Sequence, residues 1–294
     1  MQYSCPSLSF FFSVAMKTPA LLFATALSAS AAQGACPSDL EMAALAARYV
    51  AREALPLPAA GLSLDDAACG REKLVRFLGQ AYGPLAGYKA ALTNPAVQRR
   101  FGAASPVRGV LFAAMFLPDG AEVPAAYGAR PMVEADLVVE VADPALAQAR
   151  TPGEARRHLG RLFPFIELAD LLVDDPGRLT AAGIVLVNAG ARLGVLGAPL
   201  PLPSEEALAA MTVRLFDGSG REIEAAPGTA ILGHPLAAAL WLARDLAASG
   251  VALRKGDLLS LGAYSRLQSP VPGGGFAVVY DGLPGNPRVS VRFR

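Results

Sequence analysis

The sequence predicts an α+β protein in which a helical and mixed N-terminal part is followed by a β-rich part. Up to about residue 106, apolar residues recur at helical spacing, and from residue 107 onward short apolar runs alternate with Gly and Pro. The chain has 294 residues, of which 53% are hydrophobic and 17% charged, enough for one large domain or two small ones. We therefore expect an N-terminal region over residues 36–106 and a β-rich domain over 107–294.

The first 35 residues have the composition of a secretory signal. Lys17 is the only charged residue before Asp39, and it precedes an apolar run at 21–27 and small residues at 28–32. A basic residue, a short apolar core and an A-x-A site are typical of a signal peptide, whereas this run is too short to span a membrane. We expect Met16 to be the natural start, and the protein to be periplasmic or secreted without a stable membrane anchor.

Two cysteines remain once this segment is removed, Cys36 and Cys69. In an oxidising compartment an even pair predicts one disulfide, and two free thiols are the alternative. Neither cysteine has a histidine in a motif around it, which argues against a thiol nucleophile.

Helical periodicity and turn residues predict the elements before residue 107. A capping residue, Ser38, opens the first helix, which Pro56 and Pro58 are expected to end. The predicted elements are helices over 38–50 and 64–78, a strand over 88–92 and a helix start at 93–95.

From residue 107 onward, the sequence predicts many short strands. A helix that begins at Pro235 interrupts them, with apolar residues on one face and Arg244 and Asp245 on the other. The apolar runs expected to form strands are 109–115, 133–141, 165–172, 184–187, 211–216, 277–280 and 289–293.

Three carboxylates are the strongest functional signal. Glu134 and Asp136 lie in the strand-like run 131–141, and Glu167 lies in 164–170. Residues i and i+2 of a strand point to the same face, so the first two acids project together among apolar neighbours. Converging carboxylates with no Cys or His nearby suit a hard divalent ion such as Mg2+. The alternative is an exposed strand edge that carries solvated acids.

Composition and isolated motifs exclude several other classes. A net charge of +1 without basic clusters argues against a nucleic-acid partner. Two histidines in the whole chain exclude a His-rich zinc site. The glycines at 273–275 follow no strand–helix signature and indicate a hairpin turn, not a phosphate-binding loop.

Several segments, in order and at matching spacing, carry a resemblance to one family. They are 87–93 (G-Y-K-x-x-L-T), 109–115 (G-x-L-x-x-x-M), 133–136 (V-E-x-E, here ending in Asp), 166–168 with its acid, 188–189, 232–236 with 241–243, and 253–257. These segments resemble the 2-keto-4-pentenoate hydratase branch of the fumarylacetoacetate hydrolase superfamily. The likeness runs from about residue 38 to the C-terminus.

The resemblance implies a β-roll fold and a defined chemistry. It implies that Glu134, Asp136 and Glu167 bind Mg2+ or Mn2+ and that Lys89 orients the substrate carboxylate or moves a proton. It implies that Asn188 and Leu111 contact the substrate, a 2-hydroxy-2,4-dienoate or related 2-oxo acid to which water is added. It also implies self-association as a homo-oligomer and a role in aromatic catabolism.

The chain departs from the family pattern at residues that would handle protons. Ala114 replaces an acid in the 109–115 turn, and the segment 183–190 lacks both acids and the terminal hydroxyl of D-T-x-A-D-N-A-S, where this chain ends in Gly190. We therefore expect a weakened or altered hydratase. The alternatives are an oxalocrotonate-type decarboxylase of the same superfamily and a non-catalytic oxo-acid-binding protein that has kept the fold.

Overall fold

A computed structural model describes residues 1–4, 36–56, 58 and 61–294. The predicted signal peptide, apart from its first four residues, lies outside the described residues. No helix among the described residues is both long enough and apolar enough to cross a membrane.

The helices begin at capping residues that the sequence makes recognisable. Ser38 caps the first helix in a capping box with Glu41, and His234 accepts a hydrogen bond from the Leu236 amide at the start of the last helix. The helices are α1 (Asp39–Ala51), α2 (Leu64–Tyr82), α3 (Pro95–Phe101), α4 (Pro152–Arg156), α5 (Ala181–Leu186), α6 (Glu205–Ala210) and α7 (Pro235–Ala248). Single 3-10 turns occupy Ala113–Met115, Pro144–Gln148, Pro176–Arg178, Asn188–Gly190 and Gly228–Ala230.

The strands form two sheets. They are β1 (Leu85–Ala91), β2 (Val107–Phe112), β3 (Phe116–Pro118), β4 (Ala121–Val123), β5 (Pro131–Val141), β6 (Leu159–Asp170), β7 (Leu193–Leu196), β8 (Leu200–Pro201), β9 (Thr212–Asp217), β10 (Glu222–Pro227), β11 (Leu258–Ser260), β12 (Gly275–Asp281) and β13 (Arg288–Phe293). An eight-stranded sheet runs β2-β1-β11-β5-β6-β7-β3, with β8 paired to β6, and a five-stranded sheet runs β10-β9-β12-β13-β4. The predicted α+β class is confirmed.

The large sheet combines the two predicted regions. Strand β1 lies before the predicted boundary at residue 107, and it pairs antiparallel with β2 beyond that boundary and parallel with β11. The boundary therefore falls inside a sheet. The longest pair, β5 with β6, sits at the centre and runs from Pro131–Asp170 to Val141–Leu159, with a shift in register between Val139 and Val141.

Two local predictions were wrong. The run 184–187 is not a strand, because residues 184–186 end α5 and Val187 is its C-cap; the residues of α5 are all buried, and the Thr180 hydroxyl caps its first turn. A short, fully buried apolar run has no period that separates helix from strand. The first helix ends at Ala51, where the following residue, Arg52, takes a left-handed conformation, and it does not extend to Pro56 or Pro58.

A disulfide joins Cys36 to Cys69, with the Cα atoms 5.6 Å apart, and so ties the residues before α1 to α2. The neighbouring Gly70 packs α2 against α5, since a Cβ there would stand 2.5 Å from the Leu186 side chain. Helix α5 leads into the turn Asn188–Gly190, which contacts β2. The disulfide-bridged N-terminal helices therefore support α5 and the turn Asn188–Gly190 that follows it beside β2.

Candidate active site

The β5–β6 register brings the three predicted acids together. Glu134 lies directly opposite Glu167, and Asp136 is two residues further along β5, so all three point to one face of the sheet. Asp136 and Glu167 are buried, and Glu134 is partly exposed. The face predicted from the spacing of Glu134 and Asp136 is present, and it opens toward solvent on the side of Glu134.

Lys89 reaches the same face from β1. Its Nζ donates a hydrogen bond to Glu167 Oε1 and another to the carbonyl oxygen of Ala189 at 3.1 Å. Gly109 lies opposite Lys89 on β2, and a Cβ at that position would approach Lys89 Cγ to 2.9 Å. The glycine that opens the 109–115 segment therefore makes room for the lysine side chain.

Burial and like charge destabilise the ionised forms of Glu134 and Asp136. Burial and then the charge of Glu167 raise the pKa of Glu134 to about 8, while the ammonium of Lys89 lowers it in part. Burial and the charge of Glu167 also raise the pKa of Asp136, to about 7, against hydrogen bonds from Ser260 and Leu137. One ammonium faces three carboxyl groups here. A cluster of this kind favours a further cation.

A divalent cation fits the chemistry of this donor set. Carboxylate oxygens are the ligands that Mg2+ and Mn2+ prefer, and a cation would relieve the repulsion that raises the pKa values of Glu134 and Asp136. As the side chains stand, no three His, Cys, Asp or Glu groups within the described residues are close enough together to enclose an ion. In this arrangement Glu167 is paired with Lys89, and Asp136 is hydrogen-bonded to the neighbouring strand.

The donors around Asp136 were not predicted from the sequence. Ser260 donates its hydroxyl proton to Asp136 Oδ2, while the backbone amides of Gly262 (2.9 Å) and Leu137 donate to Oδ1. Ser260 ends β11, a strand of three residues that lies between β1 and β5. In the sequence, this contact with Asp136 is marked by nothing more than a serine followed two residues later by a glycine.

Two buried tyrosines hold the β5–β6 pair on either side of the acids, and the sequence analysis missed both. The Tyr127 hydroxyl donates to the carbonyl oxygen of Met132, and the Tyr280 hydroxyl donates to that of Asp136 and accepts from the Phe165 amide at 2.9 Å. Met132 and Asp136 flank Glu134 on β5. The tyrosines therefore fix the strand positions from which the carboxylates project.

The two predicted substrate-binding residues differ in their surroundings. Leu111 is buried on β2 and lies two residues from Gly109, on the face that carries Lys89. The side-chain amide of Asn188 is hydrogen-bonded to the backbone of β2. Its Oδ1 accepts from the Val110 amide at 2.7 Å, and its Nδ2 donates to the Val110 carbonyl at 2.9 Å. This geometry favours a positioning role for Asn188, because both ends of the amide are engaged by backbone.

The residues that replace the family's acids occupy two kinds of surroundings. Ala114 lies exposed in the turn after β2, whereas Gly183, Val187 and Gly190 are buried. A Cβ at Gly183 would stand 3.0 Å from the Leu179 side chain and 3.4 Å from that of Pro58, so an acid there would lie among mainly apolar groups. The absence of an acid at Gly183 therefore goes with apolar packing at that position.

Solved structures define the fold. The chain superposes with a TM-score of 0.78 on the 4-oxalocrotonate decarboxylase of Pseudomonas putida G7 complexed with magnesium and adipate, at 23% identity over 89% of this chain and 100% of that one. With the fumarylpyruvate hydrolase of Pseudomonas aeruginosa, in complex with Mn2+ and pyruvate, the TM-score is 0.53 at 16% identity over 70% and 88% of the two chains. These likenesses show that the chain has the fold of these two enzymes.

Proteins that are similar in sequence identify the family of this chain. The chain is 32% identical over 197 residues to the 2-keto-4-pentenoate hydratase of Burkholderia vietnamiensis, covering 67% of this chain and 74% of the relative. Against the enzyme of that name from Paraburkholderia phymatum, identity is 32% over 206 residues, covering 70% and 78%. The 4-oxalocrotonate decarboxylase of Pseudomonas putida is 26% identical over 209 residues, covering 71% and 77%. No family model matches the chain. The chain belongs to the 2-keto-4-pentenoate hydratase family.

Proposed function

We propose that this chain is a metal-dependent hydro-lyase that adds water to a 2-hydroxy-2,4-dienoate or a related 2-oxo acid. The observation that carries the proposal is the convergence of Lys89 and three carboxyl groups on one sheet face, with Lys89 bonded to Glu167. Relatives at 32% identity are 2-keto-4-pentenoate hydratases, which supports hydration as the reaction.

Glu134, Asp136 and Glu167 are the residues that would hold the cation. Their all-oxygen donor set and the raised pKa values of Glu134 and Asp136 support a divalent ion, and Mg2+ or Mn2+ is the expected one. Structural neighbours with magnesium and with Mn2+ support the same choice. When bound, such an ion supplies Lewis-acid stabilisation of negative charge that develops on the 2-oxygen of the substrate.

Lys89 is the residue positioned to bind the substrate or transfer a proton. Its Nζ is buried between Glu167 and the Ala189 carbonyl, so its hydrogens are directed by two fixed acceptors. An ammonium at that place attracts the carboxylate of an oxo acid and carries a proton that can be donated to the substrate. Leu111 on the same face contributes an apolar wall that excludes water from the carbon chain.

The replaced acids predict a slow hydratase. A general acid or base contributes roughly 10²–10⁴-fold in rate, so a chain without the family's acid at Ala114 retains chemistry at a reduced rate. Decarboxylation of an oxalocrotonate-type acid is the second candidate, because it adds no water and needs fewer proton-handling groups. A relative named 4-oxalocrotonate decarboxylase at 26% identity favours this alternative.

One product analysis separates the candidates. The full-length protein with Mg2+ is given 2-hydroxypenta-2,4-dienoate in one reaction and an oxalocrotonate-type acid in another. Formation of a 4-hydroxy-2-oxo acid from the dienoate supports the hydratase, and release of carbon dioxide from the second acid, without hydration of the first, supports the decarboxylase. A folded protein that binds the acids and converts neither would overturn both enzyme proposals in favour of a binding protein.

We also propose that the chain acts outside the cytoplasm. The Cys36–Cys69 disulfide supports this, because structural disulfides persist in oxidising compartments. Cells that express the full chain are fractionated, and the N-terminus of the recovered protein is sequenced. A periplasmic protein that begins near Cys36 supports export, and a cytoplasmic protein with its leader intact contradicts it.

A further inference from the structure

Asp136 is held in a way that neither of the other two acids shares. It has no exposed surface, and three donors engage its carboxylate: Ser260 Oγ at Oδ2, and the Gly262 and Leu137 amides at Oδ1. A carboxylate has about four acceptor positions. Three of them are therefore occupied by the protein, and Oδ2 keeps one for a ligand on the acidic face.

Ser260 reaches Asp136 because of where β11 lies. In the parallel β1–β11 pair Ser260 stands opposite Lys89, and in the antiparallel β11–β5 pair it stands opposite Val138, two residues from Asp136. All of these side chains share one face. Ser260 is also buried, so its hydroxyl proton has Asp136 as its acceptor within the protein.

The backbone after β11 completes this arrangement. Gly262 has φ of +113°, and a Cβ there would stand 2.3 Å from Thr93 Oγ1. Only a residue without a side chain lets the Gly262 amide approach Asp136 at this place. The serine and the glycine, two residues apart, thus contact the two oxygens of one carboxylate.

We infer that Ser260 is a positioning residue that orients Asp136 for cation binding, an inference that rests on the proposed metal-dependent function. An aspartate is one methylene shorter than the glutamate of the family pattern, so its carboxylate stays close to the sheet, where Ser260 can reach it. The serine fixes the rotation of the carboxylate and leaves the remaining Oδ2 acceptor position directed away from β11. Partners that orient a metal ligand typically change metal affinity by about 10- to 100-fold when removed.

Calorimetric titration with Mn2+ tests the role without relying on turnover. The full-length wild type is compared with Ser260→Ala, Ser260→Thr, Ser265→Ala and Glu167→Gln. Ser265 is the matched control. Its hydroxyl accepts a hydrogen bond from the amide of Ala135, which lies next to Asp136 on β5, but it does not contact the Asp136 carboxylate. We expect Ser260→Ala to raise the Kd for Mn2+ by about 10-fold or more. Ser260→Thr, which keeps the hydroxyl, and Ser265→Ala are expected to stay within about threefold of wild type.

The other outcomes separate this inference from the proposed function. If Ser260→Ala binds Mn2+ like wild type while Glu167→Gln does not, the positioning role is wrong and the metal site stands. If the wild type binds no Mn2+, the metal site and the role of Ser260 both fall. A serine with a merely structural role would lower the urea midpoint of the metal-free protein and leave the Kd unchanged, which also overturns the inference.

Discussion

Lys89 Nζ donates a hydrogen bond to the carboxylate of Glu167, and the two side chains are only 4% and 6% exposed. The pair joins β1 to β6, two strands that are separated by β11 and β5 in the sheet. A buried pair of this kind is costly to break on one side, because the remaining charge keeps its desolvation without its partner. Loss of either residue is therefore expected to lower the stability of the protein and also to remove a group from the candidate active site.

Substitution of Lys89 by Met is expected to destabilise the protein and to abolish turnover. Removing the ammonium leaves Glu167 beside Glu134 and Asp136 with no cation, and one-sided loss of a buried pair costs about 3 kcal/mol or more. Urea unfolding in the presence of a chelator measures the change in free energy. Lys255→Met is the control, because Lys255 is exposed. Equal stability and turnover in the two variants would exclude a role for the Lys89–Glu167 pair.

Replacement of Asn188 by Ala is expected to reduce stability far more than it changes KM. The amide and carbonyl of Val110 lose their partners, and unsatisfied buried groups cost about 1–3 kcal/mol each. Asn286→Ala is the control: Asn286 also has a positive φ, 42° against 56° for Asn188, but lies exposed. Asn188→Ala should lose about 2 kcal/mol more than Asn286→Ala in urea unfolding. A large rise in KM with stability unchanged would instead support the predicted contact between Asn188 and the substrate.

Loss of the disulfide is expected to destabilise the fold. The bridge spans 33 residues, and a closed loop of that length is worth about 3–4 kcal/mol in the chain-entropy account. Urea unfolding of a Cys36→Ser, Cys69→Ser double variant measures this loss. Wild type under reducing conditions should lose a similar amount, whereas a reductant should not affect the double variant. Equal stability of the oxidised wild type and the double variant would contradict a stabilising bridge.

Restoring the family's acid at Ala114 is expected to accelerate hydration. Ala114 is exposed, so an aspartate there carries no burial cost, and a general acid or base contributes roughly 10²–10⁴-fold. We expect Ala114→Asp to raise kcat at least about tenfold. Ala113→Asp, at the neighbouring exposed alanine, should not. An equal effect of the two variants on kcat would show that the position has no special relation to the reaction.

The sequence predicted the acidic face as far as local geometry allows. The spacing of Glu134 and Asp136 fixes a shared face because side chains alternate along a strand. That Glu167 stands opposite Glu134 depends on the register of β5 with β6, which the family resemblance indicated and the spacing alone did not. The disulfide partners were predictable because only two cysteines follow the expected leader.

Features that depend on long-range packing were missed. Strand β11 has three residues, too few to show a period, so Ser260 and its contact with Asp136 could not be anticipated. The contact of Tyr280 with the Asp136 carbonyl was missed for a related reason, since Tyr280 lies on β12 in the five-stranded sheet. The run 184–187 was assigned to a strand because burial against α2 makes a short helix apolar on all sides.

Dependence of dienoate turnover on a divalent ion tests the central claim most directly. The full-length protein is stripped with a chelator and given 2-hydroxypenta-2,4-dienoate, and the loss of conjugated ultraviolet absorbance is followed before and after Mg2+ is added back. We predict that the stripped wild type is inactive, that Mg2+ restores it, and that Glu134→Gln and Glu167→Gln stay inactive at every Mg2+ concentration. Glu122→Gln, at an exposed acid on β4, should behave like wild type. Turnover that survives the chelator, or survives loss of Glu134 or Glu167, would contradict a metal-dependent reaction at these carboxylates.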